Sequence, residues 1–338
     1  CLEDDVREAA RRTLASGEPE LLLYDMTADD DIVWGLGLGC NGTVNVFVER
    51  LDPKDQDPRI DAPAGRRERV AVATVVRDSQ AAGTPAVGSR IYVYADRVEG
   101  SLGDPDLDAL VAADARDLLA RGASRSYLYT YRNGRPDPGA VVRERKQVLQ
   151  PGSEHVQVYI ESFAPPPTLL IFGAGHDAIP MARVGREAGF RVVVVDSRRA
   201  YATRERFPDA EEVVHAHADE ALDHVTIDRF THVVVMTHNF NRDHEILRAI
   251  WGQPYAYLGM LGPWERTSLL LDALRGDGCD VDAHLDRLYG PIGLDIGAEG
   301  PEQIALAVVA EILAVRNGKP AGFLRFRKGP IHEMQPSA

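Results

Sequence analysis

Two glycine-rich turns hold the residues of this chain whose types and spacing can do chemistry. The first is "DIVWGLGLGCNG", residues 31–42, where Gly35, Gly37, Gly39 and Gly42 leave Cys40 with little side chain around it. A thiolate in such a loop is a soft ligand for a metal or its sulfur. A free cysteine is equally often a small apolar side chain that a core buries, and the residues alone leave both readings open. The second turn is "LLIFGAGHDAIP", residues 169–180. Gly173, Gly175 and Ala178 satisfy G-x-G-x-x-G/A between an apolar run and a helical stretch. The first glycine makes the turn, the second lets a phosphate approach the backbone, and amides at the helix start face the anion. Asp196 follows Gly173 by 23 residues, where a ribose-binding acid is expected. A tight strand-to-helix turn needs glycine with or without a nucleotide, so the signal is stronger for fold than for ligand.

Three further residues fall where strands of such a fold end. His176 follows the second glycine, and His238 with Asn239 closes "VVVMTHN", residues 233–239. Ligands of open parallel sheets bind at that edge, although a hydrogen-bonded structural role is the commoner fate of any single histidine. Arg242, Asp243 and His244 are expected to open a helix, with Asp243 beside its dipole. Glycines at 290, 293, 297 and 300 precede Pro301 and Glu302. That loop either closes over the crevice or simply connects two elements.

The elements that must position these residues differ between the two halves. From residue 169, short apolar runs alternate with helical stretches, including 242–251, 263–274 and 301–316. The rhythm predicts a Rossmann-like, doubly wound parallel sheet. The first half predicts an α+β domain built from two diverged repeats. Leu2, Val6, Ala10, Leu14, Gly17, Leu23 and Tyr24 recur as Leu107, Val111, Ala115, Leu119, Gly122, Leu128 and Tyr129, at a constant offset of 105. "VNVFVERLDP" (44–53) then resembles "VQVYIESFAP" (156–165) at an offset of 112. The second copy is preceded by a strand pair within 69–104, and the repeat logic predicts about 35 residues of similar pattern before Cys1 in the complete protein. Cys1 aligns with Asp106 and Cys40 with Gly152, so the scaffold is doubled and the thiols are not. The expected organisation is an α+β domain over 1–163, a proline-rich linker at 164–168, a Rossmann-like domain over 169–330 and a tail at 331–338.

Composition narrows the function classes. The 338 residues suffice for two cores, and 44% hydrophobic with 27% charged residues is ordinary for a globular chain. A formal charge of −14 argues against nucleic acid as a partner. No apolar run approaches the roughly 20 residues of a membrane span. Three cysteines cannot make a disulfide framework and fit a reducing cytoplasm.

The motifs "CLEDDV", "DIVWGLGLGCNG", "LLIFGAGHDA", "VVVMTHN", "YLGMLGPWERT" and "PIGLDIGAEGPEQIA" together resemble the XdhC/CoxI family of xanthine dehydrogenase accessory proteins, over nearly the whole chain. The resemblance implies a chaperone that binds molybdenum cofactor (molybdopterin), protects it, presents it for sulfuration and inserts it into a molybdenum hydroxylase. It implies as partners that target enzyme, a cysteine desulfurase and a second copy in a homodimer. On that reading the cofactor's phosphate rests on the Gly173–Ala178 turn, and Cys40 together with Cys1 supplies sulfur near the metal. The dehydrogenase itself is excluded, because two cysteine-held [2Fe–2S] clusters need eight thiolates and this chain has three cysteines. The alternative is an NAD(P)-dependent oxidoreductase, with Arg198 and Arg199 available for a 2′-phosphate. No catalytic acid and nucleophile constellation supports it, and it leaves the first half unexplained. A third reading is a scaffold whose acidic surface recognises a partner.

Overall fold

The computed structural model describes residues 2–25, 43–52, 67–79, 84–142 and 154–328. The chain divides between Pro165 and Pro166 into two compact units.

The first unit begins with α1 (Leu2–Ser16), β1 (Glu20–Asp25) and β2 (Thr43–Val48). It continues through β3 (Val70–Asp78), β4 (Arg90–Val93), β5 (Val98–Ser101), α2 (Pro105–Arg121), β6 (Arg125–Arg132), β7 (Arg135–Pro136) and β8 (His155–Phe163). Strands β5-β4-β3-β8-β6-β7 form an antiparallel sheet, and β1 pairs with β2 in a separate two-stranded one. Asp104 caps α2 by accepting from the amides of Asp106 and Leu107, and Gly122 ends the helix at φ +62°. Gly17 ends α1 in the same left-handed region, at φ +79°, a conformation that favours glycine.

The duplication inferred from sequence extends to strand register. In the first copy Glu20, Leu22 and Tyr24 stand opposite Val48, Val46 and Val44. In the second, Arg125, Tyr127 and Tyr129 stand opposite Ile160, Val158 and Val156. Each pair maps onto the other through the offsets of 105 and 112 found in the sequence. The copies differ in what lies beyond. The other edge of β8 pairs with β3, and α2 packs its apolar face on β3, β4 and β8. Among the described residues β2 pairs with β1 alone. Leu107 and Leu119 are therefore 0% and 6% exposed, whereas their counterparts Leu2 and Leu14 are 40% and 64% exposed.

The second unit runs β9 (Thr168–Phe172), α3 (Ala178–Glu187), β10 (Arg191–Asp196), β11 (Glu212–His215), α4 (Ala221–His224) and β12 (Thr231–Val235). It ends with α5 (Phe240–Ile250), β13 (Tyr257–Met260), α6 (Trp264–Gly276), β14 (Leu288–Tyr289) and α7 (Pro301–Arg316). All six strands are parallel, in the order β11-β10-β9-β12-β13-β14. The order reverses between β9 and β12, as in two-half nucleotide folds. Both faces are covered, α3 and α7 helping to close one and α5 and α6 the other. That is why "TLLIF" and "THVVV" read as unbroken apolar runs with every residue buried.

One histidine lies inside this core. His232 is buried edge-on to Phe190, with ring centroids 5.5 Å apart, and close to Tyr257. Burial pulls its pKa down from the usual histidine value to about 4, and backbone bonds at Thr168 and Phe230 offset only part of that. The native state holds His232 neutral, so protonation favours the unfolded chain. Stability from this residue is complete above pH 6.5 and falls as the pH drops from there towards 4. Denaturant midpoints followed from about pH 7.5 to about pH 5 should decline in the wild type, and His232→Phe should flatten the decline. In the first unit, Leu119→Ala should cost about 3 kcal/mol and Leu14→Ala less than about 0.5 kcal/mol, both read from urea unfolding.

Candidate functional site

The site forms where β9, β10, β11 and β12 end. Gly173 has φ +113°, and a Cβ there would stand 2.7 Å from the Met236 carbonyl oxygen. Only glycine lets the β9 turn pass this close to the end of β12. Its amide donates to the Val195 carbonyl at 2.9 Å, and the Met236 amide donates to the Phe172 carbonyl at 2.9 Å. The turn is thus stitched to both neighbouring strands.

Asp196 closes the same corner from β10. Its Oδ2 accepts from the Ala174 amide at 2.7 Å and from Arg198 Nη2 at 2.6 Å. Its Oδ1 accepts from the Arg198 amide at 2.8 Å and Arg198 Nε at 2.9 Å. Arg198 also lies over the Tyr201 ring, 4.0 Å from its centroid. Burial alone would raise the carboxyl pKa, but the Arg198 side chain and the two backbone amides outweigh it and hold Asp196 below the usual carboxylate range. The acid expected to bind a ribose therefore has both oxygens engaged in holding its own loops.

Across the switch point, Asp177 precedes α3 without capping it. One of its oxygens bonds to His238 Nε2 at 2.6 Å. The other lies 2.5 Å from where a Cβ on Gly175 would sit. His238 has φ +58°, a left-handed conformation uncommon for residues other than glycine. Beside it Asn239 caps α5 by accepting from the Arg242 amide. Asp243 is buried, accepting from Thr237 Oγ1 at 2.5 Å and from Arg266 at 2.6 Å. It opens the helix as expected, and it also binds the β12 loop to α6.

A cavity of about 320 Å³ opens at this edge, between the ends of β9, β10 and β11 and the start of α5. Of the residues expected from sequence to bind a ligand, Gly173, Asp196 and Asn239 line it. Gly175 lies under the Asp177 carboxylate, Ala178 is buried, His176 is exposed and His238 is held by Asp177. Cys1, Gly39, Cys40 and Gly42 lie outside the described residues. The cavity adds Ser197, His217, Thr237, Asn241, Arg242 and Glu245, none of which pattern reading assigned to a ligand. Every one of them follows the end of a parallel strand or sits in the first turns of α5, so the switch-point rule applied to each strand end would have found them. The 290–300 loop does not line the cavity. It is fastened to α7 through Gly293 donating to Glu311 Oε1 at 3.1 Å and Leu294 donating to the Ala307 carbonyl.

Among the described residues no cluster of three or more histidine, cysteine or acidic side chains could hold a metal ion, and no helix is long and apolar enough to cross a membrane. The described cysteine, Cys279, is partly buried against the apolar core of the second unit.

An antiparallel α+β unit followed by a parallel nucleotide-type fold, with a cavity at its switch point, defines a chain of two units that ends in a Rossmann-like domain. Residues 169–312 match the XdhC Rossmann domain, and residues 64–132 match the XdhC and CoxI family. The chain is 31% identical to a protein of Bacillus subtilis named as a probable xanthine dehydrogenase subunit, over 94% of this chain and 82% of that protein. It is 33% identical to "Uncharacterized protein YqeB" of Escherichia coli, over 83% of this chain, and spans about half (48%) of that protein's length. A crystal structure described as a xanthine dehydrogenase from Bacillus halodurans superposes with a TM-score of 0.54 at 25% identity, covering 96% of this chain and 83% of that one. The chain belongs to the XdhC/CoxI family.

Replacing Asp196 by Ala strands the Ala174 amide and the Arg198 guanidinium together. The expected loss is about 3 kcal/mol of stability, measurable by denaturant unfolding. In the wild type this contribution should be present at neutral pH and vanish as the pH falls through the lowered carboxyl pKa.

Proposed function

We propose that this chain is an accessory factor that binds molybdenum cofactor and delivers it to a xanthine dehydrogenase-type molybdenum hydroxylase. One observation carries the reading: family matches fall in order on both structural units, 64–132 in the first and 169–312 in the second. A relative named as a dehydrogenase subunit is consistent with a chain that works beside such an enzyme.

The chemistry of the site supports a phosphorylated pterin as cargo. Arg242, His217, Asn239 and Asn241 at the cavity offer a cation and hydrogen-bonding groups to a ring or a phosphate. The sulfur contacts are assigned to Cys40 and Cys1, whose thiolates match a soft, sulfur-bound metal. Presentation for sulfuration makes a cysteine desulfurase the second partner, and a homodimer is the assembly proposed. The competing reading, an NAD(P)-dependent oxidoreductase, is favoured by strand order and opposed by the engaged Asp196 carboxylate.

Gel filtration after incubation with molybdenum cofactor separates these readings. The wild type should retain the cofactor, while Cys40→Ala and Arg242→Ala should each retain several-fold less. Absence of retention in the wild type, or tight NAD(P) binding with substrate-dependent reduction, would overturn the proposal.

A further inference from the structure

The Asp177 carboxylate occupies the space that the second glycine of the turn leaves open. In a dinucleotide fold that clearance admits a phosphate to the backbone amides at the helix start. Here a Cβ on Gly175 would meet Asp177 Oδ1 at 2.5 Å, so the vacant side-chain position is filled from within the chain. The carboxylate is anchored from the opposite side of the switch point by His238 Nε2 at 2.6 Å. It contributes no bond to the helix, since Asp177 stands at the cap position of α3 with no side-chain cap bond. The N-terminal end of α3 thus already faces a negative charge, and an arriving phosphate would meet like charge at close range. The other dinucleotide feature is also occupied, because Asp196 offers no free oxygen to ribose hydroxyls.

We infer that Asp177 is a specificity-determining residue that excludes NAD(H) and NADP(H) from the glycine turn. The cavity between the ends of β9, β10 and β11 and the start of α5 is left to ligands that place no phosphate over Gly175. This does not rest on the cargo reading, and its test contains no molybdenum, so either can fail without the other.

The test is titration of the whole chain with NADH, NADPH and adenosine, followed by calorimetry. Asp177→Ala, which removes both the charge and the occupying atoms, should bind NADH and NADPH at least tenfold more tightly than the wild type. Adenosine, which carries no phosphate, should bind both proteins equally. Asp177→Asn keeps the shape and removes the charge, so it should show a smaller gain, and it decides the matter if thermal unfolding shows the alanine variant to be misfolded. Equal NADH affinity in wild type and in a folded variant would overturn the inference. So would a gain for adenosine as large as the gain for NADH.

Discussion

At the switch point of the second unit, a single buried carboxylate and a single missing Cβ hold three strand ends together. Asp196 accepts from the Ala174 amide of the β9 turn and fastens Arg198 at the start of the next loop. Gly173 lets that same turn lie against the Met236 carbonyl at the end of β12. The cavity is lined in part by this corner, with the Asp177–His238 pair and the capped start of α5 beside it. Because the carboxylate is buried and every bond to it is charge-assisted, losing it would leave the Ala174 amide and Arg198 without their acceptor. An acid in the position of a ribose-binding residue has become part of the scaffold.

The first unit shows the same sequence pattern under two packing regimes. Helix end, glycine stop and strand register agree between the copies, pair by pair. Local sequence and turn chemistry are enough to set these. Burial is not local. Leu119 is covered because α2 rests on β3, β4 and β8, whereas Leu14 has no comparable cover among the described residues. A duplicated element repeats its geometry, and its energetics follow whatever surrounds it.

For function, the two ends of the β9 turn matter differently. The cavity side presents Arg242, His217 and two asparagines together with the acids Asp196 and Glu245. The helix side presents its own carboxylate. A fold that usually cradles a dinucleotide carries here a carboxylate of its own beside the second glycine of the turn.

The sequence by itself determined the fold class of both halves, although the strand pair expected within 69–104 is three strands, β3, β4 and β5, because the second apolar run folds back on itself after Val93. Unbroken apolar runs between amphipathic stretches leave a sheet covered on both faces as the solution, and the glycine spacing placed its first turn. It also determined the duplication and, through ordered motifs, the family. Tertiary structure alone decided what the acids do. From sequence, Asp196 ends a strand where a ribose-binding acid is expected, Asp243 stands beside a helix dipole, and Asp177 has no assigned role. Besides near neighbours such as Arg198 and Thr237, these carboxylates bond partners 61, 22 and 23 positions away, at His238, Ala174 and Arg266. Local periodicity encodes which face of an element is buried. The partner of a charged side chain is encoded only in how distant strand ends converge, because electrostatic and hydrogen-bond energies depend on distances in space that no spacing along the chain contains.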